Sequence, residues 1–148
     1  ATRLLVVEAP DNPANIRSII RTAAALGWHR LLLDHTTADP LARRSTREPM
    51  GTDFTLPHAR TTCHADDLRA MTHHEIYALT PDATAVDLHT ITPGERAAIL
   101  VGSERAGLSR ELLGIATPVR IPMAHGVDSL NAAAATAIAC YALGPRGR

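Results

Sequence analysis

The 148 residues provide enough chain for one domain with a single buried core, and too little for two domains of ordinary size. Hydrophobic residues make up 45% of the chain and charged residues 20%, a balance that excludes a disordered polypeptide. The formal net charge is zero, so any affinity for nucleic acid has to come from a local surface. We therefore expect one globular domain over residues 1–148.

The chain opens with an apolar strand, Arg3–Glu8, followed by a helix predicted from Asn12 to Leu26. Asn12 supplies the N-cap, Pro13 fits the first turn, and Gly27 ends the helix. Apolar residues recur at helical spacing at Ile16, Ile19, Ile20 and Ala23. This arrangement predicts a strand that leads directly into a helix.

Strand-like and helix-like segments then alternate along the rest of the chain. The predicted strands are Arg30–Asp34, a brief apolar piece at Phe54–Pro57, Glu75–Leu79, Ala97–Val101 and Val119–Ile121. The predicted helices are Pro40–Arg47, Ala65–Met71, Ser109–Ile115 and the alanine-rich Ser129–Leu143. Such alternation predicts the α/β class, a mostly parallel sheet with helices on both faces and ligand loops at the carboxyl ends of the strands.

No apolar run approaches the roughly 20 residues of a membrane-spanning helix, and the first residues lack the layout of a signal peptide. We therefore expect a cytoplasmic protein with no membrane partner. The two cysteines, Cys63 and Cys140, lie far apart and lack the spacing of metal ligands. Reduced thiols and no bound metal are the expectation.

The first segment with chemical potential is the amino-terminal part of the first helix. Its free N–H groups and positive dipole end favour an anion such as phosphate. Arg17 and Arg21 are four residues apart, so both emerge on one side of the helix and could clamp a phosphodiester together. The alternative is that Asn12 only caps the helix and both arginines are solvated.

The second segment, Val101–Ser109, follows an apolar strand and carries glycines at Gly102 and Gly107. Glu104 between them could orient a ligand ammonium group, a catalytic arginine or a ribose hydroxyl. Alternatively, the glycines form turns and Glu104 is an exposed acid. The segment is not a dinucleotide-binding fingerprint, because the second glycine falls too late.

The third segment, Ile121–Asn131, leaves a strand, turns, and enters the last helix. Ser129 is a plausible N-cap. A cap does not explain Asn131 in the first turn, because asparagine is only a mediocre helix former. We therefore favour a functional role for Asn131.

In this order and at these separations, the three segments resemble motifs 1, 2 and 3 of the SpoU (TrmH-like) RNA 2'-O-methyltransferases of the SPOUT superfamily. The second and third segments match G-x-E-x-x-G-L-S and I-P-M-x-x-x-x-x-S-L-N at every specified position. The first matches N-x-x-N-(I/L)-G-x-I-x-R-x-A except at Arg17, where the family favours glycine. The stretches Asp39–Arg44 and Met50–Thr52 also look like the region between motifs in this family.

The resemblance implies an α/β trefoil knot, S-adenosyl-L-methionine (AdoMet) as cofactor, and a homodimer with its two sites near the subunit interface. It implies methyl transfer to a ribose 2'-hydroxyl of RNA, with rRNA and tRNA both open. An N-terminal RNA-binding extension, which many relatives carry, would then lie outside this chain. The departures from the pattern, Arg17 and the alanines after Asn131, keep open the alternative of an RNA-binding or dimerisation module with reduced or lost methyl transfer.

Matching the motifs position by position implies a role for each site residue. The cofactor pocket would be formed by Gly102, Ile121, Met123 and Leu130, and Leu79 and Thr80, which end an earlier strand, would line the same pocket. Arg21 would hold the RNA phosphate and stabilise developing charge on the 2'-oxygen. The polar groups that orient Arg21 and the ribose would be Asn15, Glu104, Ser129 and Asn131. Further RNA contacts are expected from Arg17, Arg43, Arg44 and Arg47.

A zinc hydrolase is the remaining enzyme alternative. Its ligands would be Cys63, His64, His73 and His74. The spacing of these four residues is not that of standard zinc sites, so we give this interpretation little weight.

Overall fold

The computed structural model describes residues 2–8, 13–28, 30–34, 58–61, 73–102, 108–124 and 132–145. The strands are β1 (Thr2–Val7), β2 (Arg30–Asp34), β3 (His58–Thr61), β4 (Glu75–Leu79), β5 (Val86–Asp87), β6 (Arg96–Val101) and β7 (Thr117–Arg120). The helices are α1 (Pro13–Ala25), α2 (Arg110–Gly114) and α3 (Ala132–Ala142), with a short 3-10 helix at Leu88–Thr90.

The strands form one sheet in the order β3-β2-β1-β6-β4-β7-β5, and each described pair of neighbours is parallel. The predicted α/β class with a mostly parallel sheet is therefore confirmed. The predicted elements Pro40–Arg47, Phe54–Pro57 and Ala65–Met71 lie outside the described residues. So do parts of the segments that would form the trefoil knot, which stays an expectation.

Helices cover both faces of the sheet. On one face α1 and α3 pack against each other and against β1 and β6 through Ile19, Ala23, Ala139, Leu5 and Ile99. On the other face Leu112 of α2 joins a second core cluster. The strand residues of this cluster are Leu4, Val6, Ala78, Ala98 and Leu100. Alternate residues of the central strands thus face different helix layers, as expected for a sheet buried on both sides.

Helix α1 ends as its sequence predicts. Gly27 adopts a left-handed backbone with φ of 87°, which glycine tolerates without strain. The N–H of Trp28 donates to the carbonyl oxygen of Ala23 at 2.9 Å, and the N–H of Gly27 donates to that of Ala24 at 3.3 Å. This pair of hydrogen bonds is a Schellman motif, and it turns the chain from α1 towards β2.

Two buried side chains hold the carboxyl-terminal end of α3. Trp28 donates from Nε1 to the carbonyl oxygen of Cys140 at 2.8 Å. Arg3 donates from Nε to the carbonyl oxygen of Leu143 at 2.6 Å. The last carbonyl groups of a helix lack donors within the helix, so these side chains act as caps. The guanidinium charge also suits the negative end of the helix dipole.

Cys140 is a free, buried cysteine, and burial raises the pKa of its thiol to about 12. Cys63 lies outside the described residues. None of the helices in the described ranges is long and apolar enough to cross a membrane.

Candidate functional site

Three of the predicted ligand loops leave the sheet at neighbouring strands. β4 lies between β6 and β7, with Ala78 in register with Leu100 and Leu79 in register with Val119. The N–H of Thr80 donates to the carbonyl oxygen of Val119 at 2.9 Å, which extends the pairing one residue past β4. Because the strands are parallel, the loops that follow β4, β6 and β7 meet at the carboxyl edge of the sheet, the usual place for a ligand in this fold class.

The described residues predicted to bind the cofactor all lie at this edge and are all partly buried. They are Leu79, Thr80, Gly102, Ile121 and Met123. Pro122 and Ala124, which alternate with Ile121 and Met123, are exposed. Alternation of this kind gives residues 121–124 one partly buried side and one side that faces water. The resulting surface offers apolar side chains and backbone groups, which suits a ligand with an apolar body and a few polar atoms.

Turn-forming hydrogen bonds shape the loop after β4. Thr80 Oγ1 accepts from the N–H of Asp82 at 3.3 Å, and Asp82 Oδ1 accepts from the N–H and the hydroxyl of Thr84, both at 2.9 Å. The hydrogen bonds from Thr84 lower the pKa of the Asp82 carboxyl. Because the oxygen of Thr80 serves as an acceptor here, its hydroxyl proton remains available to donate to a ligand.

Two further contacts brace the site, and neither was predicted from the sequence. Glu8, just after β1, accepts through Oε1 from the N–H of Ser109 at 2.8 Å, which holds the N-cap residue of α2. Arg120 Nε lies 2.8 Å from Asp87 Oδ1, which joins β5 to the end of β7 beside Ile121. Both contacts link residues that are far apart in the sequence, so no local sequence pattern predicts them.

Arg17 and Arg21 are both exposed, whereas Ile19 and Ile20 between them are buried. The predicted position of the two arginines on one side of α1 is therefore confirmed. Arg21 lies eight residues beyond Pro13, about 12 Å along the helix. The structure of the single chain thus does not place Arg21 among the strand-end loops.

The remaining predicted site residues are not described. Asn15 belongs to α1, but nothing is described of its side chain. The others that lie outside the described residues are Glu104, Ser129, Leu130, Asn131, Arg43, Arg44 and Arg47.

The zinc alternative depends in part on the same undescribed segments, because Cys63 and His64 belong to them. His73 and His74 lie at the opposite end of β4 from the ligand loops. In the described ranges, no group of three or more histidine, cysteine or acidic side chains could hold a metal ion.

Comparison with known proteins covers nearly the whole chain. The model of the SpoU rRNA Methylase family matches residues 2–141. An uncharacterised tRNA/rRNA methyltransferase of Mycobacterium tuberculosis is 38% identical, over 95% of this chain and 51% of its own length. A 23S rRNA uridine 2'-O-methyltransferase of Streptomyces viridochromogenes is 34% identical, over 90% of this chain and 50% of its own length.

Among solved structures, an AdoMet-bound rRNA methyltransferase from Sinorhizobium meliloti superimposes with a TM-score of 0.84 and 34% identity. The match covers 96% of this chain and 55% of that protein. The chain thus spans about half the length of the relatives it matches.

Proposed function

The chain belongs to the SpoU rRNA methylase family, and on this premise we propose that it is the catalytic domain of an AdoMet-dependent RNA ribose 2'-O-methyltransferase. The observation that carries the proposal is that Leu79, Thr80, Gly102, Ile121 and Met123, at the ends of β4, β6 and β7, lie at one edge of the sheet and are partly buried. Relatives named as 23S rRNA 2'-O-methyltransferases favour rRNA as the substrate, with tRNA as the second candidate. Because the proposed substrate is cellular RNA, we place the reaction in the cytoplasm.

The residues at the strand ends fit AdoMet. Leu79, Ile121 and Met123 offer apolar contact for the adenine ring, and Leu130 is proposed to complete this surface. Gly102 lets the backbone approach the ligand closely because it has no side chain.

Bound AdoMet supplies a methyl group attached to a positively charged sulfur. The ribose 2'-oxygen must approach this methyl in line with the carbon–sulfur bond, so the main task of the protein is to position the two reactants. We propose that Arg21 holds the phosphate next to the ribose and stabilises negative charge developing on the 2'-oxygen. A guanidinium stays protonated in proteins and does not serve as the proton acceptor.

Four polar residues are proposed to orient Arg21 and the ribose: Asn15, Glu104, Ser129 and Asn131. Glu104 is five residues before Ser109 in the sequence, and Glu8 accepts the N–H of Ser109. Ser129 and Asn131 precede α3, whose far end is held by Trp28 and Arg3. Further phosphate contacts are assigned to Arg17, Arg43, Arg44 and Arg47.

The first test is cofactor binding. Titration calorimetry on chelator-treated protein is expected to show one AdoMet site per chain. Changing Gly102 to Val should weaken AdoMet binding roughly tenfold or more, about 1.4 kcal/mol, because the side chain would occupy the ligand's place. Gly114→Ala is the matched control, since a Cβ there meets nothing within 4 Å.

Folded protein that binds neither AdoMet nor S-adenosylhomocysteine would contradict the proposed function. AdoMet binding without methyl transfer to ribosomal or transfer RNA would instead support the alternative, a binding module that has lost catalysis. The second measurement, transfer of a labelled methyl group from AdoMet to RNA, separates these two cases.

We also propose that the chain forms a homodimer through the outer side of α3. The helix carries no charged residue and is apolar all round, a composition typical of buried helices. Yet Ala134, Ile138 and Tyr141, which lie at helical spacing, are exposed, Ile138 by 43% and Tyr141 by 66%. α1 packs beside α3, so a dimer formed through this apolar side would bring Arg21 close to the subunit interface.

Changing Ile138 to Asp is expected to shift the protein from dimer to monomer in analytical ultracentrifugation, because a charge would enter an apolar contact. Val86→Asp is the matched control, since Val86 is 44% exposed on β5 at the edge of the sheet. This interface would be disproved if the Ile138→Asp variant still sediments as a dimer, or if the wild-type protein sediments as a monomer.

A further inference from the structure

Four basic residues gather at the amino edge of the sheet, opposite the ligand loops. Arg30 begins β2, Arg96 begins β6, and His73 and His74 directly precede β4. Arg30, Arg96 and His73 are exposed, and His74 is partly buried. We call these four residues the basic edge.

The register of the sheet brings the two arginines to the same face. Arg30 pairs with Leu4 of β1, and Arg96 pairs with Thr2, two residues earlier on the same strand. Paired residues and residues two apart share one face of a sheet, so both arginines belong to the face that α2 covers. Glu75 of β4 pairs with Ala97 of β6. The residues one position earlier, His74 and Arg96, therefore lie opposite each other.

The charges of the basic edge act on one another. The pKa of His74 is lowered by burial and, in turn, by the positive charges of Arg96, Arg30 and His73. In the part of the chain that the structure describes, neither arginine forms an ion pair with a carboxylate. The two arginines therefore give the basic edge a positive potential that an anion would relieve.

Two acidic residues of the described ranges, Glu75 and Glu95, are close in sequence to this site. Glu75 belongs to the opposite face, where its Oε1 accepts from the Tyr77 hydroxyl at 2.6 Å and from the N–H of Gly94 at 3.0 Å. Glu95 is exposed and directly precedes Arg96. A local basic excess is notable in a chain whose formal net charge is zero.

We infer that the basic edge binds phosphate groups of the RNA backbone at a point remote from the site of methyl transfer. The inference rests on the proposed function, which makes RNA the substrate. β6 has six residues, so the two edges of the sheet are about 20 Å apart, a distance that one folded RNA can span. Arginine is well suited to phosphate because its planar donors match the phosphate oxygens. The basic edge would thus add affinity without taking part in the reaction.

The test compares two double variants of the full chain. Arg30→Gln with Arg96→Gln removes both charges, whereas Arg30→Lys with Arg96→Lys keeps them and controls for folding. Binding of fluorescein-labelled poly(U) is measured across a salt series. For the glutamine variant, the slope of log affinity against log salt should flatten by about 1.4, since each contact with a single strand contributes about 0.7. The lysine variant should keep the wild-type slope.

An unchanged slope in the glutamine variant would overturn the inference. If wild-type protein still binds AdoMet and poly(U) in that case, the proposed function stands and only the basic edge is excluded. Wild-type protein that binds AdoMet but no RNA would overturn both the inference and the RNA part of the proposed function. As a control, AdoMet affinity is measured by calorimetry for each double variant. An affinity equal to that of the wild type would indicate that the cofactor site remains folded.

Discussion

Replacing Arg21 by Ala is expected to lower the rate of methyl transfer about 100-fold to 1,000-fold, the usual cost of removing a group that stabilises charge in a transition state. AdoMet affinity should stay near the wild-type value, because Arg21 lies on the exposed side of α1 and not among the strand-end loops. The measurements are single-turnover transfer of labelled methyl to RNA and titration calorimetry with AdoMet.

Two further variants sharpen the interpretation of Arg21. Arg21→Lys keeps the charge but loses the planar pair of donors, so it should recover only part of the rate. Ser18→Ala changes another exposed residue of α1 and should leave the rate unchanged. Loss of AdoMet binding together with the rate in Arg21→Ala would contradict the assignment of Arg21 to RNA.

The elements with strong local signals were predicted well. β4 has the predicted bounds, Glu75–Leu79, because it is a short apolar run between polar residues. α1 ends where Gly27 supplies a left-handed residue, a requirement that few other residues meet. The second and third motif segments follow β6 and β7, and the parallel sheet places the ends of both strands at one edge.

Two strands were missed because they carry little local signal. β3, His58–Thr61, has the sequence HART, which shows neither an apolar run nor apolar–polar alternation. β5 has only the two residues Val86 and Asp87. Both are edge strands, whose pairing depends on one neighbour rather than on their own composition. β7 also ends at Arg120, one residue before its predicted end, so Ile121 belongs to the loop.

The contacts that brace the site could not be predicted, because they depend on register between distant segments. Glu8 and Ser109 are 101 residues apart, and Asp87 and Arg120 are 33 apart. The basic edge has the same origin, since only the strand order brings Arg30 and Arg96 together. The arginines that are close along the chain are instead Arg17, Arg21 and those of Arg43–Arg47, from which the sequence predicts RNA contacts.

Arg3 was predicted only as the start of a strand, yet it is 2% exposed. Its Nε donates to the carbonyl oxygen of Leu143, and its Nη1 donates to the carbonyl oxygens of Thr2 at 3.0 Å and Glu95 at 3.1 Å. The side chain therefore joins the start of β1, the start of β6 and the end of α3. Its positive charge also lowers the pKa of Glu75, after the larger effects of the hydrogen bonds from Tyr77 and Gly94.

Changing Arg3 to Ala is expected to lower the free energy of unfolding by about 3 kcal/mol, because it leaves a cavity and removes the donor to a buried carbonyl group. Urea denaturation followed by circular dichroism measures this change. Arg3→Met fills most of the space without restoring the donor, so it should recover part of the loss. Arg96→Ala is the matched control, since Arg96 is an exposed arginine at the same edge and should change stability by less than about 0.5 kcal/mol.

The loss of stability in Arg3→Ala should also be localised to α3. Arg3 holds the end of α3, so backbone amides of α3 should exchange with deuterium faster in Arg3→Ala than in Arg96→Ala. Because Ser129, Leu130 and Asn131 directly precede this helix, AdoMet affinity should fall in the same variant under conditions where the rest of the domain stays folded. Equal stability of wild type and Arg3→Ala, or faster exchange spread evenly over all elements, would show that Arg3 does not anchor α3.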